Sequence, residues 1–97
     1  MFIRSVSYEI KPGMMEEAEQ LYHTLTRKAI DSREGFEQGY AMINSKTGVA
    51  VTVAVWTSKE AFEEYNATEA GKEMAERVSP LLANPPIVTE FDKLLRP

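Results

Sequence analysis

The spacing of apolar residues along the chain predicts four β-strands, because short alternating or continuous apolar runs bounded by turn residues are typical of strands. The strands are predicted at residues 2–10, 36–43, 49–56 and 87–95. In the first strand the even-numbered residues from Phe2 to Ile10 share one side, and Arg4 interrupts them. The sequence NSKTG at 44–48 predicts a hairpin between the second and third strands, since Asn and Gly accept the positive φ angles of tight turns.

Two further segments show the three- and four-residue spacing of amphipathic helices. The apolar stripe of the first consists of Met14, Ala18, Leu21, Tyr22, Leu25 and Ala29. The second follows TSKE at 57–60, which has the form of a capping box with Thr57 as the N-cap and Glu60 three residues later. The sequence NAT at 66–68 favours a bend in it, and a proline-rich passage at 79–86 ends it. Its apolar positions are Ala61, Phe62, Tyr65, Ala70, Met74 and Val78.

The predicted order of elements is β-α-β-β-α-β, and no repeat, low-complexity tract or linker interrupts residues 1–97. Short connections and right-handed crossovers turn this order into an antiparallel four-stranded sheet with both helices on one face. We therefore expect one domain of the α+β class with the ferredoxin-like arrangement. At this length a single chain buries only a modest core.

The third predicted strand, VAVTVAVW at 49–56, barely alternates between apolar and polar residues. One of its sides carries Val51, Val53 and Val55, and the other carries Thr52, Ala54 and Trp56. Two helices cover only one side of a sheet, so the valine side of a single chain would expose an unusually large apolar patch. The sequence therefore predicts a homodimer that is joined through the open face of the sheet.

Charge and composition exclude several classes of function. The net charge is −4 and the 11 basic residues are scattered, whereas binding to nucleic acid or to an anionic membrane needs a concentrated positive face. The chain has no cysteine and one histidine, which excludes disulfides and cysteine nucleophiles and leaves no metal-binding motif. No apolar run approaches the roughly 20 residues that span a bilayer, and the N-terminus lacks the features of a signal peptide. We expect a cytoplasmic protein.

Few side chains suit acid–base chemistry, and each also has an ordinary structural interpretation. Tyr8, Tyr40 and Tyr65 could donate hydrogen bonds inside a cavity, but a phenol whose pKa is about 10 is a poor base at neutral pH. Histidine suits general-base work, yet His23 lies away from the apolar stripe through Leu21 and Leu25 and is interpreted as a surface residue. Arg4 is either a strand-end residue that extends to water or a cation that stabilises a phenolate near a pocket.

Small residues on the helix side of the third strand suggest a pocket between the sheet and the helices. Thr52 and Ala54 are small for a covered strand face, and Trp56, Phe62 and Tyr65 could close the space above them. A Trp at the end of a strand is more often a core-packing residue whose N–H bonds to the main chain.

The stretch VAVWTSKEAFEEY at 53–65, together with EGF at 34–36, resembles the antibiotic biosynthesis monooxygenase (ABM) family of the dimeric α+β barrel superfamily. The resemblance implies a dimeric oxygenase without a cofactor, in which an aromatic small molecule itself supplies the electrons that reduce dioxygen. The pocket expected from it has Trp56 and Tyr65 as catalytic residues. Thr52 stands where the polyketide oxygenases of the family have an Asn, and Phe62 where they have a Tyr. The expected substrate-binding residues are Val6, Tyr8, Thr52, Phe62, Met74 and Val78.

The hypothesis that follows is a small cofactor-independent monooxygenase that oxidises a quinol- or phenol-type aromatic molecule. The alternative is a non-catalytic, ligand-binding or stress-associated dimeric barrel. A haem-degrading monooxygenase is less favoured, because that branch of the family holds haem iron with a His where this chain has Ala75. The Asn and Trp that assist the His in that branch are replaced by Val6 and Tyr65.

Overall fold

The computed structural model describes residues 1–31 and 34–97, and the side chain of Ala29, a member of the predicted stripe, lies outside the described part. The strands are β1 (Phe2–Glu9), β2 (Phe36–Ile43), β3 (Val49–Trp56) and β4 (Ile87–Phe91). The helices are α1 (Met15–Asp31), α2 (Lys59–Asn66) and α3 (Glu69–Val78), and a 3-10 turn (Ser79–Leu81) follows α3. The predicted order of elements is confirmed, and the second helix is divided in two at the NAT sequence.

The four strands form one antiparallel sheet in the order β2-β3-β1-β4, which confirms the ferredoxin-like α+β arrangement. The central strands β1 and β3 pair from Phe2 opposite Trp56 to Glu9 opposite Val49. The edge strand β2 contains an irregularity between Phe36 and Gln38, after which its pairing with β3 is regular.

Turn and capping residues fix where several elements begin. In the predicted hairpin, the Asn44 side chain accepts hydrogen bonds from two turn amides, and Gly48 has a φ of 80°. The N-cap of α2 is Ser58, whose hydroxyl accepts a hydrogen bond of 3.1 Å from the main-chain N–H of Ala61. The prediction of Thr57 as N-cap is wrong: Thr57 directly follows β3, and its main-chain N–H donates to the carbonyl of Gly35 at 2.8 Å.

Two predicted strands are shorter in the structure. β1 ends at Glu9, and Ile10 forms only an isolated bridge with Leu82. β4 ends at Phe91 rather than at residue 95, and the segment from 92 to 97 is exposed and irregular.

The register divides the sheet into a helix side and an open side. On the helix side, an aromatic cluster joins the sheet to α2 and α3, with the buried residues Phe2, Trp56 and Tyr65 at its centre. Partly buried Phe36, Ala54, Ala61, Phe62 and Ala70 surround it. A separate leucine cluster joins α1, α3 and the 3-10 turn, and consists of Leu21, Leu25 and Leu81 with partly buried Met14, Ala18, Met74 and Val78.

The open side differs in detail from the prediction for β3. Val55 is only 1% exposed within a single chain, and Val51 and Val53 are half-buried. The apolar side chains that this side does expose come mainly from the two edge strands. They are Tyr40, Met42, Val49, Ile87 and Phe91, each about half exposed or more.

Candidate functional site

The aromatic cluster places Trp56 among three other rings. Its ring centroid lies 5.2 Å from that of Phe36, 5.7 Å from that of Phe62 and 5.4 Å from that of Tyr65. The contacts with Phe36 and Phe62 are edge-to-face, a geometry that aromatic pairs favour. Trp56 is 3% exposed and Tyr65 is 8% exposed, so both side chains are almost completely removed from solvent.

Two polar groups in this cluster lack partners. Within residues 1–31 and 34–97, neither Nε1 of Trp56 nor the hydroxyl of Tyr65 has a hydrogen-bond partner. A buried polar group that is left unpaired costs about 1–3 kcal/mol, so proteins seldom retain one without a reason. The expectation that the Trp56 N–H bonds to the main chain is therefore wrong. An indole N–H can only donate a hydrogen bond, so its partner has to be an acceptor atom from outside the described residues.

Burial keeps the Tyr65 hydroxyl protonated. Desolvation raises the pKa of Tyr65 above its ordinary value of about 10, and the negative charge of Glu73 raises it further. Tyr65 is therefore a neutral hydrogen-bond donor over the whole physiological pH range and cannot serve as a base there.

The junction between α2 and α3 fixes the position of Tyr65. The Thr68 hydroxyl donates to the main-chain oxygen of Tyr65 at 2.5 Å and accepts from the N–H of Gly71 at 3.2 Å. Thr68 is also the N-cap of α3, so one hydroxyl connects the end of one helix to the start of the next.

Arg4 contributes a cation to the helix side of the sheet. Because β1 is a central strand, Arg4 is half-buried and does not extend from an edge, and its guanidinium carbon lies 5.0 Å from the centroid of the Phe62 ring. Burial lowers the pKa of Arg4, and the charge of Glu90 on the neighbouring strand opposes that effect. Arginine nevertheless remains protonated in proteins, so the cluster has a fixed positive charge beside it.

The sheet is incompletely covered on its helix side near its centre. Val6, Thr52 and Ala54 lie on this side in the two central strands, yet each remains partly exposed. Beside them, α1 and β2 form the walls of a groove of about 610 Å³. Such a volume lies within the range of small-molecule sites, roughly 300–1,000 Å³. The groove is lined by Glu16, Glu19, Gln20, Tyr22, His23, Ala41 and Ile43.

The structure brings together some of the predicted site residues and separates others. Trp56, Tyr65 and Phe62 share the aromatic cluster, as the sequence indicated. Val6 and Thr52 lie opposite each other in the paired central strands. They line the incompletely covered part of the sheet rather than the aromatic cluster.

Three other predicted residues lie elsewhere. Met74 and Val78 pack in the leucine cluster, so the structure does not place them with Trp56. Tyr8 is half-buried at the far end of β1, where burial and the neighbouring phenol of Tyr22 raise its pKa.

Sequence reasoning missed Phe2 and Phe36 as neighbours of Trp56. Both pair with Trp56 across the sheet, one from each side, and both rings belong to the aromatic cluster. The contact between Phe2 and Trp56 could have been predicted, because the two residues share parity in antiparallel strands.

His23 is exposed, as expected, but it also lines the groove and its ring lies 5.5 Å from that of Tyr22.

The described residues contain no group of three or more His, Cys, Asp or Glu side chains that could hold a metal ion. No helix among them has the length and apolar character needed to cross a bilayer.

The model of the antibiotic biosynthesis monooxygenase family matches residues 1–77. The chain belongs to this family. Comparison with curated protein sequences finds no match.

Solved structures of ABM proteins and others share the fold at low sequence identity. A cofactor-independent oxygenase of Streptomyces nogalater, SnoaB, solved as a point mutant, has a TM-score of 0.84 at 17% identity, with 98% of this chain and 94% of that chain covered. An antibiotic biosynthesis monooxygenase has a TM-score of 0.82 at 19% identity, covering 98% and 100% of the two chains. A conserved protein of Methanosarcina mazei has a TM-score of 0.84 at 17% identity, covering 97% and 94%.

Proposed function

We propose that this ABM protein is a small cofactor-independent monooxygenase and that its substrate is a quinol- or phenol-type aromatic molecule. The observation that carries the proposal is the pair of buried, unpartnered donors, Nε1 of Trp56 and the hydroxyl of Tyr65. Each of these donors needs a hydrogen-bond acceptor, and the oxygen atom of a phenol or phenolate can accept such a hydrogen bond. The name of the structural relative SnoaB, a cofactor-independent oxygenase, is consistent with this chemistry.

The reaction needs little from the protein beyond binding and charge stabilisation. The phenol is deprotonated, and its anion supplies the electrons that reduce dioxygen. A ring C–H becomes C=O with one oxygen atom of O2, and the other oxygen atom leaves as water with the ring hydrogen and the phenol hydrogen. The two donors would stabilise the anion in a site from which water is excluded. The Arg4 guanidinium, 5.0 Å from the Phe62 ring, adds a positive potential on the same side of the sheet.

The alternative, a non-catalytic ligand-binding barrel, is favoured by the close packing of the aromatic cluster. The three rings around Trp56 have centroids between 5.2 and 5.7 Å from its own, so a substrate can reach the two donors only if a side chain moves. In this alternative, ordered water satisfies both donors and the groove beside α1 holds the ligand.

We also propose that the protein works as a homodimer through the open side of the sheet. Tyr40, Met42 and Val49 on the β2–β3 hairpin, and Ile87 and Phe91 on β4, together make an exposed apolar surface. A second copy of the chain offers the same surface, so sheet-to-sheet packing would bury both.

Oxygen uptake tests the proposed activity. The purified protein is mixed with a panel of quinols and phenols in an oxygen electrode, and the Trp56→Phe and Tyr65→Phe variants are compared with it. Tyr40→Phe, which removes a phenol that bonds only to Gln38 among the described residues, is the matched control. Uptake that is no faster than in buffer, or equal in all four proteins, would contradict the proposal.

A further inference from the structure

The side chain of Phe36 packs on the Trp56 indole at the start of β2, the strand whose other end lines the groove. The helix-side residues of β2 run from Ile43 through Ala41 and Gly39 towards Phe36, and the first two form the floor of the groove. The ring of Phe36 lies at the end of this row. It packs edge-to-face on Trp56, with 5.2 Å between the two ring centroids.

Gly39 makes this position of the ring possible. A Cβ atom added to Gly39 would lie 3.2 Å from Cζ of Phe36, closer than most carbon contacts, so the ring tip extends over the glycine. The ring therefore extends from its own position at the irregular start of β2 towards Ala41. Phe36 also remains partly exposed, whereas Trp56 and Tyr65 beyond it are buried.

A second hollow reaches the aromatic cluster from the opposite side but is a poorer route. It measures about 420 Å³ and is lined by Phe2, Lys59, Glu90, Phe91 and Asp92. Phe2 is 6% exposed, and two of the lining residues, Lys59 and Glu90, form an ion pair of 3.4 Å. The groove beside α1 is larger, and its β2 residues Ala41 and Ile43 are apolar and lie on the same side of the strand as the partly exposed Phe36.

We propose that Phe36 is the gate between the groove and the two buried donors, and that its side chain limits the size of the aromatic molecule that reaches them. This inference rests on the proposed function for the identity of that molecule. The route from the groove to the two donors does not depend on whether the protein turns over a substrate. When the Phe36 ring rotates away from Gly39, the space above the small residues from Ala41 to Ala54 extends as far as the Trp56 indole.

The single tryptophan of the chain allows the gate to be tested without any substrate. Acrylamide quenching of Trp56 fluorescence is measured in the wild type, in Phe36→Ala and in Phe2→Ala, which removes an equal ring from the other side of the same cluster. We expect several-fold stronger quenching in Phe36→Ala and a much smaller change in Phe2→Ala. Adding Ala41→Phe to Phe36→Ala, which fills the groove floor, should restore the wild-type value.

One further variant keeps the test decisive. If Phe36→Ala does not fold, Gly39→Ala pushes on the same ring with a smaller change, and should also increase quenching. Equal quenching in the Phe36 and Phe2 variants would show general loosening and overturn the gate, as would a larger effect of Phe2→Ala. Strong quenching in Phe36→Ala together with no oxygen uptake by any variant would leave the gate standing and refute the proposed activity alone.

Discussion

The main-chain oxygen of Tyr65 packs against Gly71 so closely that no side chain fits at residue 71. A Cβ atom there would overlap this oxygen and lie 2.7 Å from Cα of Asn66. Gly71 is buried at the start of α3, and its N–H donates to the hydroxyl of Thr68, which in turn donates to Tyr65. The position of the Tyr65 phenol thus depends on a glycine six residues further along the chain.

Gly71→Ala should destabilise the protein by about 1–3 kcal/mol, since a methyl group forced into a closed contact displaces main-chain atoms. The sign of the change in stability is diagnostic, because a Gly to Ala substitution inside a helix ordinarily stabilises a protein by about 1 kcal/mol. Urea unfolding followed by circular dichroism measures the difference. Glu76→Ala, on the exposed face of the same helix, is the control and should change stability little. A Gly71→Ala protein that is more stable than the wild type would contradict the close contact.

Tyr65→Phe should change stability and function in opposite directions. Removing a buried hydroxyl that has no partner among the described residues is expected to raise the free energy of unfolding by up to about 1–2 kcal/mol. Loss of a hydrogen bond to an anionic substrate oxygen should reduce oxygen uptake about 10- to 100-fold. Parallel urea unfolding and oxygen-electrode measurements on this variant and on Tyr40→Phe separate the two effects. Loss of both stability and activity would indicate a structural role for the hydroxyl.

Stability should fall at alkaline pH partly through Tyr65. Burial raises the pKa of Tyr65 in the folded protein, whereas in the unfolded chain it has its ordinary value of about 10. The folded state therefore holds the proton more tightly, so this contribution to stability is complete below about pH 10 and is lost as the pH rises through the folded-state pKa. Tyr8 has a pKa shift of the same direction and adds to the effect.

Unfolding measured between about pH 9 and pH 11, on either side of the ordinary phenol pKa, tests this dependence. Tyr65→Phe should show a shallower loss of stability than the wild type, and the ultraviolet absorbance of tyrosinate should show one fewer late-titrating phenol. An unchanged slope in Tyr65→Phe would mean that the phenol is not held in an apolar environment.

The fold was predictable from sequence because its signals are local. Alternation, helical spacing and the NSKTG turn each depend on a few neighbouring residues, and together they define the order of strands and helices. The position of the α2 N-cap was not predictable in this way. Thr57 and Ser58 are both good capping residues, and the choice depends on the hydrogen bond from Thr57 to Gly35, which is distant in sequence.

The candidate site was predictable only in part. Trp56, Phe62 and Tyr65 lie within ten residues of one another, so their meeting follows from one strand and one helix. Met74 and Val78 continue the same helical spacing, but the break between α2 and α3 directs them to the leucine cluster instead. The two buried, unpartnered donors depend on packing by Phe2 and Phe36 from two other strands, which spacing alone does not reveal.

The proposed dimer can be tested with two adjacent residues of β4. Ile87 is 69% exposed on the open side and Val88 is 44% exposed on the helix side, so a lysine at either position changes charge and size similarly. Light scattering at micromolar concentration should give a dimer mass for the wild type and for Val88→Lys. Ile87→Lys should shift the mass towards the monomer, because a buried interface disfavours an unpaired charge. A monomeric wild type would refute the proposed dimer, and a dimer that Val88→Lys disrupts and Ile87→Lys does not would place the contact elsewhere.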